Sequence, residues 1–536
     1  MKYDTMHYPY PSRRYLVYGR KGIAATSQYL AAQAGLDALK SGGNAIDAAV
    51  AAAACLTVVE PCSNGIGGDA FALVWTKGKL YGLNSSGPAP LGLSAERVSA
   101  LGHKTMPVYG WEAVTVPGIP GAWAELSRRF GRLKLIDALK GAIAYAREGY
   151  AVSPVVASAW ASAAETYKNR LEATLSRHWF DTFTKRGKAP DSGEIMRLPH
   201  HADTLEDIGR TEAESFYRGE LASKIAAFAK STGGYITEDD LAAFKPEWVE
   251  PLSVKYRGHE VWELPPNGHG LVALMALNIL EGFEPLKYGD AEGVHRQIEA
   301  VKLAFSDGLK YIADPAYMSV EVKELLSPEY ASARRALIKK NAIVPQPGSF
   351  GDHGTVYLAT ADGEGNMVSY IQSNYLGFGS GLVVPGTGIA LHNRGANFSL
   401  DPQSPNCLSP GKRPYHTIIP GFLTREGKPM GPFGVMGGFM QPQGHVQVIV
   451  NMLDYGLNPQ AALDAPRWRW DEGLGVAVEE SFDGALMRQL IDRGHDVKRE
   501  TSNLGAFGRG QIILRDKEGV LTAGTEPRAD SAAAAW

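Results

Sequence analysis

The feature that most restricts how this 536-residue chain can fold is a strand-type run that starts directly on Thr355, behind a glycine and a polar loop. Residues Asn341 to Asp352 (NAIVPQPGSFGD) are polar and rich in Pro and Gly, which suits an exposed connection. Then TVYLATA, the turn DGEGN and MVSYIQS give two β-type runs around a Gly-containing loop, the pattern of a hairpin. A β-branched residue at the head of a strand is common for structural reasons alone. It also has a chemical reading. A threonine hydroxyl is a weak nucleophile that the α-amine of the same residue can activate, and that amine exists only if the chain is cut between Gly354 and Thr355. Attack of the hydroxyl on the Gly354 carbonyl, an N-to-O shift and hydrolysis of the ester would make the cut, and a glycine permits the geometry.

Elsewhere the periodicity predicts a helix from Ser27 to Lys40, stopped by Ser41-Gly42-Gly43, and a second, alanine-rich helix capped by Asn44. The apolar run Ala45 to Val59 carries Asp47 and is too short to span a bilayer, so it reads as a buried helix. In VVEPCSNGIGGDAFALVW a glycine turn precedes a strand from Ala70 to Trp75. Gly65, Gly67 and Gly68 there mean either close approach of backbone to a ligand or tight packing of the turn. The region from Pro117 to Ile338 reads as mostly helical, with stretches such as Gly121 to Phe130, Ala213 to Thr232 and Ala291 to Ile312.

The length allows two or more domains or one large layered α/β unit. A net charge of -3 supplies no electrostatic footprint for nucleic acid or an anionic membrane. The opening MKYDTMHYPYPSRRYLVYGRKG lacks an apolar core ahead of its basic residues, so a cytoplasmic location is expected. Cys55, Cys62 and Cys407 lack CxxC spacing and read as structural thiols in a reducing compartment. No set of metal ligands has convincing spacing, and threonine chemistry needs no cofactor.

Several motifs in order carry a resemblance that spans nearly the whole chain: GGNAIDAAVAAAACLTVVEPCSNGIGGDAF, VTVPGIPGAW, ITEDDLAAF, ELPPNGHG (Glu263 to Gly270), GTVYLATADGEGN, GFGSGLVV, GKRPYHTIIP, GVMGGF, NMLDYGLNPQAALDAPRW and GTEPRAD. Together they resemble the γ-glutamyltransferases and their acylase-like relatives. The resemblance implies a four-layer αββα sandwich of the N-terminal-nucleophile hydrolase type. It implies a precursor cut into a large region, 1–354, and a small one, 355–536. Thr355 would be the nucleophile with its α-amine as base, Ser373 would orient it, and Gly437 and Gly438 would supply the oxyanion hole ahead of a helix from Gln441 to Met452. Without the resemblance, Ser373 reads as a strand serine facing water and the glycine pair as a plain turn.

The resemblance also implies a changed substrate pocket. Positions that hold a glutamyl head in the transferases carry Asn84, Tyr375, Asn397, His416 and Thr417 here, so both the cationic clamp and the anionic partner of the α-ammonium are replaced. These residues resemble the branch that includes cephalosporin acylases, and point to hydrolysis of a small-molecule amide or peptide through an acyl-enzyme. A true γ-glutamyltransferase or glutathione hydrolase, and an uncleaved non-catalytic binding protein, are the alternatives. His416 either meets a substrate carboxylate or is a buried histidine satisfied by neighbours. The stretch from Ser399 to Lys412 is shorter than the family's lid loop, which implies a more open site. The expected partners are the substrate and the two pieces of one precursor, possible as a dimer of these, with neither nucleic acid nor membrane.

Overall fold

The computed structural model describes residues 13–345, 354–501 and 504–536. Near the start, β1 (Val17–Gly19) and β2 (Gly22–Thr26) lead into α1 (Tyr29–Lys40) and α2 (Ala45–Val59). The Asn44 side chain caps α2 and Asp47 returns the bond to the Asn44 amide, a reciprocal box that satisfies two otherwise orphan donors. Alanines all round then let α2 be buried on every side. A hairpin of β3 (Asp69–Thr76) and β4 (Lys79–Ser85) follows.

Between Pro117 and Ile338 the chain is mostly helical, as expected, and it also holds β5 (Glu247–Val249), β6 (Leu252–Tyr256) and β7 (His259–Glu263), strands that the sequence reading did not find. These strands are short and half-exposed, so they carry little of the apolar signal that marks a strand in sequence. The expected helix over Ala213 to Thr232 is two, Glu214–Arg218 and Glu220–Thr232, broken at Gly219. After α3 (Gly270–Glu281) come β8 (Gly354–Asp362), β9 (Met367–Tyr375), β10 (Gly421–Arg425), β11 (Lys428–Met436), α4 (Met440–Leu453), β12 (Arg509–Arg515), β13 (Leu521–Thr525) and β14 (Ala532–Ala535). The connection expected from Asn341 to Asp352 lies mostly outside the described residues.

Fourteen strands make two seven-stranded sheets, in the orders β1-β13-β12-β11-β10-β7-β6 and β14-β2-β8-β9-β3-β4-β5. Every pairing in them is antiparallel. Phe71, Leu73, Tyr357, Ala359 and Ile371 of one sheet meet Phe422, Met436, Ile513 and Ala523 of the other. On the outer faces, α2 covers Val356, Leu358, Val368 and Tyr370, while α3 and α4 cover Val254, Val261, Val435 and Ile512. Each large side chain fully buried in these layers contributes about 1.5–3 kcal/mol. The result is the expected αββα sandwich. Strands from both sides of residue 354 alternate within each sheet, so the two expected pieces are interleaved and share one core.

Gly67 and Gly68 decide between the two readings of the glycine turn. A Cβ at Gly67 would lie 2.3 Å from the Ala390 carbonyl oxygen, and one at Gly68 2.5 Å from that of Ser373. Packing, not ligand access, requires glycine there. Among the described residues no helix is long and apolar enough to cross a membrane. Cys55 and Cys62 are buried and unpaired, and burial pushes both thiols up, Cys62 to about 12, which suits inert structural cysteines.

Candidate active site

The hairpin β8–β9 places the candidate nucleophile. Alternation along β8 turns Val356 and Leu358 toward the helices and Tyr357 and Ala359 toward the opposite sheet. The pairing shifts between Gly354, opposite Tyr375, and Val356, opposite Gln372, so Thr355 alone faces Ser373 and Asn374 and the extra residue of the bulge is in β9, a device that re-aims side chains. Its Oγ1 is 3.0 Å from the Oγ of Ser373, which also accepts the Tyr375 amide at 2.8 Å. Ser373 is thus fully buried rather than turned to water. Gly354 and Thr355 open β8, and Thr355 has no exposed surface. Beside the segment from Ser399 to Lys412 Phe398, and within it Leu408, are buried in a small apolar cluster.

Gly437 and Gly438 join β11 to α4 and take φ of 139° and 58°, values that glycine adopts without strain. Their carbonyls accept the amides of Met440 and Gln441 at 3.0 and 3.1 Å. Their own N–H groups, ahead of the helix, donate to no backbone acceptor among the described residues. The Tyr357 ring lies over Gly434, and Ser369 Oγ donates to the Phe433 carbonyl at 3.4 Å. This alignment brings the end of β11, with the glycine pair, to the end of the sandwich where β8 begins.

Behind Ser373 stands a buried polar cluster that sequence reasoning missed. Asp69 is directly opposite Ser373 in the β3–β9 register and shares its face. One Asp69 oxygen is 3.0 Å from His416 Nε2 and 3.5 Å from His392 Nδ1, and the other accepts the Gly87 amide at 3.2 Å. Burial drives the charge off both imidazoles, His392 down to about 3 and His416 well below its ordinary value. His416 Nδ1 accepts the Ile418 amide at 3.3 Å, so the ring proton is on Nε2 and goes to Asp69. Both nitrogens are therefore bonded within the protein, the arrangement of a buried histidine satisfied by its neighbours.

The remaining pocket residues are partly brought together. Asn84 is tied to Asn267 at 2.9 Å and to the Ser86 hydroxyl at 2.8 Å. Asn397 Nδ2 donates to the Tyr415 carbonyl at 3.0 Å. Tyr375, at φ 75°, and Thr417 flank a residue the sequence reading passed over, Arg394. Its guanidinium lies 4.5 Å from the Tyr375 ring centroid and its Nη1 donates to Thr417 Oγ1 at 2.6 Å. A buried cation thus lies against Tyr375 and Thr417, at a position other than that of Asn84. A signal was present: Arg394 is the only Asp, Glu, Lys or Arg between Met367 and Leu400.

Burial pushes the Asp69 carboxyl up to about 8, against the lowering pull of Arg394. An unfolded aspartate releases its proton near pH 3.9. Between these values the folded chain holds more protons than the unfolded one, so the contribution of Asp69 to stability is full at low pH and is lost as pH rises through about 8. Asp69→Asn is expected to remove that slope. The measurement is urea unfolding of both proteins from pH 5 to 9, and parallel curves would rule out the assignment.

One grouping lies apart. Among the described residues, His295, Glu299 and His495 bring donor atoms within 4.8 Å of one another, which no sequence spacing revealed. Lys302 Nζ donates to Glu299 at 2.7 Å and the two imidazoles bond each other at 2.8 Å, so the carboxylate already faces a cation.

The αββα sandwich, with Thr355 at the head of β8, has the fold of the N-terminal-nucleophile hydrolases. The chain belongs to the γ-glutamyltranspeptidase family, whose model (Gamma-glutamyltranspeptidase) matches residues 31–536. It is similar to a cephalosporin acylase from Bacillus halodurans, whose crystal structure matches with a TM-score of 0.97 and 59% identity over 100% of this chain and 99% of that one. It is 39% identical to the glutathione hydrolase-like YwrD proenzyme of Bacillus subtilis, over 96% of this chain and 99% of the relative. It is 36% identical to the oxamate amidohydrolase proenzyme of Klebsiella pneumoniae, over 96% and 98%.

Proposed function

We propose that the protein is an autoprocessing threonine amidohydrolase that cuts itself between Gly354 and Thr355 and then hydrolyses amides through an acyl-enzyme on Thr355. The observation that carries this reading is the 3.0 Å contact of Thr355 Oγ1 with Ser373 Oγ, opposite the bulge in β9. After processing, the new α-amine takes the hydroxyl proton as Oγ1 attacks the substrate carbonyl. Gly437 and Gly438 donate to the developing oxyanion. The same amine passes the proton to the leaving nitrogen, the C–N bond breaks, and water, deprotonated by the amine, hydrolyses the ester. Ser373 orients Oγ1 by hydrogen bonding. Proenzyme relatives support the processing step, and the oxamate amidohydrolase and the cephalosporin acylase support amide hydrolysis. The interleaved sheets keep the pieces together once cut. Three unpaired thiols suit a reducing, cytoplasmic setting, which cell fractionation checks.

On a denaturing gel, purified protein is expected to give bands of roughly 38 and 20 kDa, the 57.6 kDa chain divided in proportion to length at the bond whose cleavage frees the amine. A chain that stays whole and inert would instead fit a non-catalytic binding protein.

The substrate prediction follows from position 397. With Asn397 there, no carboxylate at that position awaits an α-ammonium, so deleting the amine from a γ-glutamyl donor costs nothing. A glutaryl anilide is expected to match or exceed the γ-glutamyl anilide in kcat/KM. An enzyme built to recognise the amine would lose about tenfold to a hundredfold on the glutaryl compound. That loss, measured side by side on processed protein, would return the chain to the transferase reading.

A further inference from the structure

Asp69, His392 and His416 are all fully buried, and their contacts fix where the protons lie. His392 Nε2 faces the Thr115 carbonyl at 2.9 Å, and a carbonyl oxygen only accepts, so the imidazole proton is on Nε2. Nδ1 of this uncharged ring therefore carries a lone pair. It has no hydrogen-bond partner, and an Asp69 oxygen faces it at 3.5 Å. The same oxygen accepts the proton of His416 Nε2 at 3.0 Å. An ionised carboxylate would turn a lone pair on that of Nδ1 across a buried gap. One proton on the Asp69 oxygen converts this repulsion into an O–H to N bridge.

The groups around Asp69 agree with a proton there. Its other oxygen accepts the Gly87 amide at 3.2 Å. His392 and His416 are uncharged, His269 lies behind His416, and burial keeps the Tyr217 hydroxyl protonated. Two cations pull the other way. Arg394 gives Nη1 to Thr417, leaves Nε and Nη2 unbonded and acts on Asp69 through space only, while Arg413 is paired with Glu247 at 2.8 Å. Burial outweighs both.

Asp69 stands opposite Ser373, whose Oγ meets Thr355 Oγ1 at 3.0 Å, so three adjacent strands carry the three side chains in a row. Two strand spacings put Asp69 roughly 10 Å from Thr355. At an effective dielectric constant of about 20, an anion at that distance opposes a developing oxyanion by about tenfold in rate.

Resting on the amidohydrolase reading, we infer that Asp69 is a positioning residue that works as a neutral acid, its proton bridging to His392 Nδ1, and that this keeps negative charge out of the wall behind Ser373 and Thr355. It touches no substrate and takes no part in bond making. As pH rises through about 8 the proton passes to solvent, the anion opposes the oxyanion, and kcat falls. The α-amine of Thr355, a free base above about pH 8, shapes the acid side of the profile and gives no such fall.

The test is kcat per folded molecule from about pH 6 to 10 for processed wild type, Asp69→Asn and Asp69→Ala, with glutaryl p-nitroanilide, which has no group titrating in that range. Wild type is expected to lose about tenfold in kcat on the alkaline side, reversibly and with little change in KM. Asn can accept from His416 and donate to His392 but has no proton to lose, so Asp69→Asn should show no fall and overtake wild type at the alkaline end. Asp69→Ala should also lack the fall, and be slower than Asp69→Asn at every pH because both imidazoles lose their partner. The same fall in Asp69→Asn, no fall in wild type, or Asp69→Asn no faster than Asp69→Ala would overturn the inference. If Asp69→Asn does not fold, Arg394→Gln, which removes a charge that pulls the carboxyl down, must move the fall to higher pH, and a fall left in place overturns the inference equally. A wild type that hydrolyses no anilide at any pH sinks the amidohydrolase reading and this inference with it, whereas an active wild type with the profile of Asp69→Asn sinks the inference alone.

Discussion

Thr355→Ala is expected to run as one uncut band and to hydrolyse no amide. The variant removes the only atom that can open the Gly354 carbonyl in the proposed shift, and with it the later nucleophile, so maturation and turnover disappear together. Folding should survive. The neighbour of the lost hydroxyl is the hydroxyl of Ser373, which keeps its bond from the Tyr375 amide. Thr355→Ser retains the oxygen and is expected to process, more slowly, because the methyl that restricts χ1 is gone. The readouts are a denaturing gel over time and the N-terminal sequence of the small fragment. Cleavage of the alanine variant at the same bond would falsify the nucleophile assignment.

The second large effect is expected at Gly437. At φ 139° an L side chain is strained, and a Cβ there would lie 3.1 Å from Gly508 Cα, so Gly437→Ala must rotate the peptide that presents the N–H groups. Loss of one preorganised donor to an oxyanion costs on the order of 10²- to 10³-fold in kcat. The variant should melt near the wild-type temperature, process slowly, and lose kcat with little change in KM. A loss confined to KM would place the glycine pair in substrate binding instead.

Much of the architecture was legible because it is written in local signals. Asn44 with Asp47 marks the start of α2, the two runs around DGEGN mark β8 and β9, and the glycine pair marks the entry to α4. Each involves residues close in sequence whose hydrogen bonds or alternation repeat at a fixed period. The strands β5, β6 and β7 were missed since they are short and partly exposed, and gain their place from pairing with distant strands.

At the site, the motif order pointed to Thr355, Ser373, Gly437 and Gly438, and the structure puts the first two in contact. The electrostatics of the pocket were not readable in the same way. His416 looks like a ligand group until Asp69, far away in the chain, is seen to take its proton. Arg394 was passed over in the sequence, and only the structure brings Tyr375 and Thr417 around it.

By itself, the sequence determined α1, α2, the β8–β9 hairpin and which threonine heads it, because propensity, capping and turn chemistry act over a few residues. Only the tertiary structure decided the charge of the pocket. Whether a histidine is protonated, an aspartate ionised or an arginine left with an open edge depends on burial and on partners hundreds of residues away. Desolvation and hydrogen bonding at such distances leave no period or spacing in the chain.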